Sequence, residues 1–176
     1  MPPFRSRAAL LPVLAAALAF AAAPLAAEPP DLPELSGPVL LTVSGLDPET
    51  YPGGLYFLDL GRLEALGTTG FETSSIWTEG VQHYEGVLLH KLVTALDIGE
   101  AELRLQALND YMIELPTSEI HAEAPLLSFR IDGALLSVRD KGPIWLIYPF
   151  DSDAAYRTDT IFARSIWQLD RIEVLR

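Results

Sequence analysis

The sequence predicts an α+β domain dominated by mixed β-sheet. Two observations carry this: the second half of the chain is a series of short, irregular β-type runs, and only two apolar repeats have helical spacing. The 176 residues contain no cysteine, so no disulfide staples the fold and stability must come from a packed core. About 145 residues beyond the N-terminal apolar segment are enough for one ordinary domain with a full core.

Glu28 to Pro38, with Pro30, Pro33 and Pro38, reads as an extended linker that lacks ladder donors. The domain begins at Val39. Val39-Leu40-Leu41-Thr42-Val43 is β-rich, Asp47-Pro48 through Pro52-Gly53-Gly54 is turn chemistry, and Leu55-Tyr56-Phe57-Leu58 resumes an apolar run. Asp59 is placed to cap a short helix through Leu63 and Leu66. Phe71 to Trp77 is a strand candidate, whereas Leu88, Leu92 and Leu96 with Leu89 and Val93 form the core face of an amphipathic helix. Further strands are expected at Leu103–Leu108, Tyr111–Leu115, Leu126–Ile131, Ala134–Val138 and Ile144–Tyr148, with a tight hairpin turn at Asp132-Gly133. Ser118 is expected to cap one helical turn over Glu119–His121. Trp145, inside a continuous apolar run, and Trp167, flanked by Ile166 and Leu169, are expected to be structural.

The N-terminus predicts export. Arg5 and Arg7 form a basic start, Ala8 to Ala22 is an Ala/Leu run too short and alanine-rich for a confident span, and Leu25-Ala26-Ala27 supplies small residues before Glu28. Residues 1–27 therefore read as a cleaved signal peptide, residues 28–38 as the linker and residues 39–176 as a periplasmic domain with no span of its own. Cleavage removes two of the 12 basic residues, leaving 10 against 24 acidic ones and a formal charge of −14. Such a surface repels phosphate backbones, which excludes nucleic acid and makes anionic lipid a poor partner.

Several kinds of site are not encoded. His83, His90 and His121 have no metal-ligand spacing, so no metal site is expected. Ser74 and Ser75 lack a nucleophile elbow, and Gly53-Gly54 leads into a strand where a phosphate loop needs a helix. Asp151-Ser152-Asp153 starts like a calcium loop but lacks the following glycine and glutamate, and reads as a capping turn.

Four segments, in order, carry a resemblance. Tyr84-Glu85-Gly86-Val87-Leu88-Leu89-His90-Lys91-Leu92-Val93 is similar to a helix-opening W-x-G-V-x-L-x-x-L-L motif. Asn109-Asp110-Tyr111 with Leu115-Pro116 is similar to a D-G-Y hairpin ending in L-P, and Phe129 to Leu136 to an A-x-x-x-N-G-x-P-L segment. The fourth is Asp140-Lys141-Gly142-Pro143 feeding Ile144–Tyr148, closed by the strand around Leu169-Asp170-Arg171-Ile172-Glu173-Val174. Together they cover nearly all of Val39–Leu175 and resemble the molybdopterin-binding domain of the sulfite oxidase family. That family holds molybdenum through a cysteine thiolate, whose strand corresponds to Thr73–Trp77, so Ser74 or Ser75 stands where sulfur is expected.

The chain also resembles small cysteine-less periplasmic proteins of this fold that bind free reduced pterins and report to a membrane-bound cyclic-di-GMP enzyme. This resemblance implies a non-catalytic pterin receptor with a membrane sensor as partner and no covalent cofactor. The alternative is a molybdopterin-dependent oxidoreductase with a non-cysteine ligand. A pterin's pyrimidine edge suits a carboxylate, and its flat faces suit aromatic rings. Asp110 and Asp140 are the candidate carboxylates. Trp77, Tyr111, Tyr148, Tyr156 and Trp167 are the candidate platforms, a structural place being favoured for Trp167 by its flanks, and Asn109, Arg139, Lys141 and Arg157 the candidate polar contacts.

Overall fold

The structure, a computed structural model, describes residues 28–176. The signal-peptide expectation for residues 1–27 lies outside them. Ten strands, β1 (Leu41–Ser44), β2 (Tyr56–Leu58), β3 (Thr69–Ser74), β4 (Val81–Leu88), β5 (Glu102–Ala107), β6 (Met112–Pro116), β7 (Leu126–Ile131), β8 (Ala134–Leu135), β9 (Trp145–Ile147) and β10 (Leu169–Leu175), are joined by three short helices. These are α1 (Leu60–Ala65), α2 (Leu89–Ala95) and α3 (Asp159–Arg164). The expected α+β class with mixed sheet is what is found.

One sheet runs β2-β1-β10-β5-β6, and a second runs β3-β4-β7-β8 with β9 also paired to β7. The β1–β10 pair is parallel, with Val43 opposite Ile172, and brings the C-terminal strand to the centre of the first sheet. Period-two burial makes these strands: Leu41 and Val43 on β1, and Leu103, Leu105 and Ala107 on β5, are buried while their neighbours face outward. β7 and β9 are instead buried along continuous runs, which is why Leu126 to Phe129 and Trp145 to Ile147 carry no alternation.

Asp59 caps α1 as expected, accepting from the Arg62 backbone N–H at 3.0 Å through Oδ1. Its other oxygen reaches further than the sequence implied. Oδ2 accepts from the backbone N–H groups of Ser36 at 2.7 Å and Gly37 at 2.9 Å, so the proline-rich segment is tied to the domain. These bonds, the helix-cap bond first, hold the buried Asp59 carboxyl down to a pKa of about 2.

Several sequence expectations are corrected. β3 ends at Ser74, and residues 75–80 form a turn that closes with Gly80 at φ +69°. Val81–Leu88, whose second half resembles a helix opening, is the longest strand: only Tyr84, Gly86 and Val87 of it are buried, so it shows neither apolar period. A Cβ at Gly86 would lie 2.0 Å from the Leu127 carbonyl oxygen, beside a bulge at Glu85/Gly86, so the close β4–β7 approach requires glycine. The α2 helix accordingly starts at Leu89. The Ala134–Val138 strand shortens to two residues and passes into a 3-10 turn over Val138–Asp140. The turn near Ser118 spans Thr117–Glu119 without a side-chain cap. The α3 helix lies outside the expected elements, although Thr158 Oγ1 accepting from the Ile161 N–H, Asp159 in the first turn and Arg164 in the last are ordinary helix-end signals.

Candidate functional site

The turn after β3, the β5–β6 hairpin and the segment from α3 into β10 converge on one cavity of about 380 Å³, within the range of small-molecule sites. The turn contributes Trp77, the hairpin Asn109 and Tyr111, and the last segment Phe162, Ala163, Ser165, Ile166 and Trp167. Thus Trp77, Asn109 and Tyr111, distant in sequence, are brought together. Trp167 joins them, although its apolar flanks predict a structural role.

Trp77 is the centre of an aromatic cluster. Its ring centroid lies 5.8 Å from Trp145, 5.9 Å from Phe162, 5.8 Å from Trp167 and 6.1 Å from Phe150, all at steep interplanar angles. Edge-to-face pairs contribute about 0.5–1.5 kcal/mol each beyond burial, so Trp77 holds the cavity wall as well as lining it. Trp145 is fully buried as expected and donates through Nε1 to the Ser165 carbonyl at 3.1 Å, fixing the segment between α3 and β10.

The polar atoms of the lining are held locally. Asn109 Oδ1 accepts from the Tyr111 backbone N–H at 3.2 Å, an Asx turn at the hairpin tip. Tyr111 Oη donates across the gap to the Ala163 carbonyl at 3.1 Å, and Ser165 Oγ donates to the Ile161 carbonyl at 2.9 Å. Among the described residues, no charged side chain lines the cavity.

The remaining predicted residues lie elsewhere. Asp110, between two lining residues, turns outward at φ +64° with its side chain 81% exposed, accepting from Gln106 Nε2 and lying 3.8 Å from Arg171. The expected carboxylate is therefore on the outer face of the hairpin, because the left-handed turn directs residue 110 away from Tyr111. Asp140 accepts from the Ser137 hydroxyl at 2.6 Å in an exposed 3-10 turn that also carries Arg139. Lys141 follows at φ +72°, with Nζ 5.3 Å from the centroid of the buried Trp145 ring. Tyr148 is only 3% exposed and packs at 5.9 Å on Tyr156; its hydroxyl finds no hydrogen-bond partner among the described residues, and burial raises its pKa. Tyr156 lines a different hollow, beside Phe71, Leu88 and Pro149.

At the position expected for sulfur, Ser74 donates to Asp151, from its N–H at 2.5 Å and from its hydroxyl at 2.8 Å. Arg157 completes the group, with NH2 2.6 Å from Asp151 Oδ1 and Nε 2.7 Å from the Phe150 carbonyl oxygen. The Ser74 bonds first, and Arg157 after them, lower the Asp151 pKa. Ser75 Oγ lies 2.6 Å from Thr78 Oγ1.

This donor set does not fit a molybdenum cofactor. It offers no thiol, both serine hydroxyls are engaged by protein groups, and Arg157, which would suit a cofactor phosphate, is paired with Asp151. Arg104, Arg130, Arg164 and Arg171 are likewise bridged to carboxylates. Among the described residues, no group of three or more His, Asp or Glu side chains is arranged to hold a metal ion.

No family model matches the chain, and no curated protein matches its sequence. In fold, it is similar to the crystal structure of the sulfane dehydrogenase SoxCD from Paracoccus pantotrophus. The TM-score is 0.54 at 14% identity, over 78% of this chain and 38% of that chain. The chain therefore spans well under half the length of that protein, and at this identity the likeness is one of fold alone.

Phe162 and Ser165 line the cavity without being legible as lining residues in the sequence. Phe162 and Ser165 belong to α3 and its end, which have no periodic signal. Trp167 sits between two buried residues, Ile166 and Leu169, and lines the cavity as one of the candidate platforms.

Proposed function

We propose that this chain is a non-catalytic periplasmic receptor for a flat heterocycle of the reduced-pterin class, bound in the Trp77–Trp167 cavity. The observation that carries the reading is the meeting of Trp77, Asn109 and Tyr111 with a second indole at one cavity of small-molecule size. Stacking and edge contacts on indole suit a planar ring, and the amide and hydroxyl groups give it orientation. With Asp110 turned outward, the Tyr111 and Ser165 hydroxyl oxygens are the acceptors for the ring N–H groups and the Asn109 amide is the donor to the ring carbonyl. Calorimetry with a reduced pterin tests the reading: Trp167→Leu is expected to weaken binding about tenfold or more, since base-type stacking is worth about 1–3 kcal/mol per ring. Unchanged affinity in folded Trp167→Leu would move the site elsewhere.

Among the described residues, no helix is long and apolar enough to cross a membrane. With the expected signal peptide, this supports signalling through a membrane sensor, whose cyclic-di-GMP activity is the proposed output. The ligand acts by binding the docked and free states unequally. A second reading, a molybdopterin-dependent oxidoreductase, draws on the fold likeness to a dehydrogenase. Elemental analysis after expression in a host that makes the cofactor separates the two: about one molybdenum per chain would support the oxidoreductase, and none is expected for the receptor.

A further inference from the structure

We infer that the cavity selects an uncharged cyclic amide: a planar bicyclic ring presenting one carbonyl and adjacent N–H donors, without a phosphate or carboxylate substituent. This deepens the pterin reading and rests on the same cavity. Three observations lead to it. First, the lining contains no ionised group among the described residues. An anionic substituent on a ligand in this cavity would lose hydration without gaining a cation from the lining.

Second, the arginines of α3 and β10, the elements that flank the lining segment, are already committed. Arg171 lies against Asp110 and Asp170, Arg164 is bonded to Glu119, and Lys141 faces Trp145, which is fully buried behind Trp77 and Trp167. Recruiting any of the arginines to an anionic ligand would leave a carboxylate without its partner.

Third, the polar inventory has a definite polarity. Asn109 uses Oδ1 for the Tyr111 N–H, so its free hydrogen-bonding capacity is the Nδ2 donor. Tyr111 and Ser165 each spend their hydroxyl proton on a backbone carbonyl, so what they offer a ligand is an acceptor. One donor beside two acceptors complements a ring carbonyl flanked by N–H groups, which is the edge of a cyclic amide. A ring with acceptors only would leave the Tyr111 and Ser165 oxygens unmet.

Isothermal titration of the purified chain with four probes tests this. They are 6-hydroxymethylpterin, its phosphate monoester, quinazolin-4-one as an uncharged cyclic amide that is not a pterin, and quinazoline, which lacks both carbonyl and N–H. Both uncharged amides are expected to bind at least tenfold more tightly than the phosphate ester and than quinazoline. Asn109→Ala is expected to remove about tenfold from the amides and leave quinazoline unchanged. Equal or tighter binding of the phosphate ester overturns the inference while leaving a pterin site intact. Binding of quinazolin-4-one without the pterin overturns the pterin reading and supports the inference. Binding of none of the four overturns both.

Discussion

At the residue scale, Trp77 has two roles that a single substitution confuses. It touches four other rings, so Trp77→Ala removes packing as well as a cavity wall. Truncating a packed tryptophan costs about 3–5 kcal/mol, and partial exposure places this one toward the lower end. Chemical denaturation is expected to show that loss, whereas Trp77→Phe retains most of the stability; a Trp77→Ala protein as stable as the parent would mean the ring cluster contributes nothing. Asp59 makes a second residue-scale prediction. Its folded pKa, about 2, lies below the ordinary 3.8, so it stabilises the fold above the unfolded value and that contribution is lost as pH falls from about 4 toward 2. Urea midpoints measured down this range are expected to fall less steeply in Asp59→Asn, which starts from lower stability at neutral pH because its amide lacks the charge that the Ser36 and Gly37 N–H groups meet. A parallel pH profile in the variant would remove Asp59 from the acid response.

At the element scale, the strand that determines the second sheet is the one the sequence concealed. β4 pairs with both β3 and β7, and Gly86 allows its backbone to press against Leu127. Gly86→Ala is therefore expected to cost about 1–3 kcal/mol or more through forced backbone movement. Gly99, where an added methyl would meet nothing within 4 Å and φ is not left-handed, is the control: Gly99→Ala is expected to be neutral or to stabilise by about 0.4–1 kcal/mol. Thermal unfolding of the pair decides it, and equal midpoints would deny the close approach. The legible elements were those with a local cause. Asp59 before α1, the alternation of β5 and the Asp132-Gly133 turn, with both residues at positive φ, can each be read from a few neighbouring residues. β4 could not, since a strand packed on both sides at a glycine bulge carries no period. The α3 helix had end signals but only six residues, too few for periodicity to register.

At the scale of the whole molecule, the cavity exists because the chain closes on itself. β10 enters the first sheet beside β1 and β5, and the segment leading into it lays Trp167 and Ser165 against the β5–β6 hairpin and the turn after β3. Ligand and partner binding are then linked: if a reduced pterin changes affinity for the proposed sensor by some factor, the sensor must change pterin affinity by the same factor. Pull-down of membrane proteins with and without a reduced pterin is expected to show ligand-dependent recovery of a sensor, and recovery only of a quinone- or haem-linked electron carrier would favour the oxidoreductase reading.

The sequence by itself determined the α+β class, most strand positions, the absence of a thiolate and four candidate residues of the cavity. These follow from composition and from patterns within a few residues, which act on the chain before it folds. The tertiary structure alone decided that Phe162 and Ser165 line the cavity, that Asp110 turns away from it, and that Ser74 is bound by Asp151, 77 residues further on. Such placements depend on which strands pair and on how turns aim a side chain, and these arise only when distant segments bury their apolar faces together.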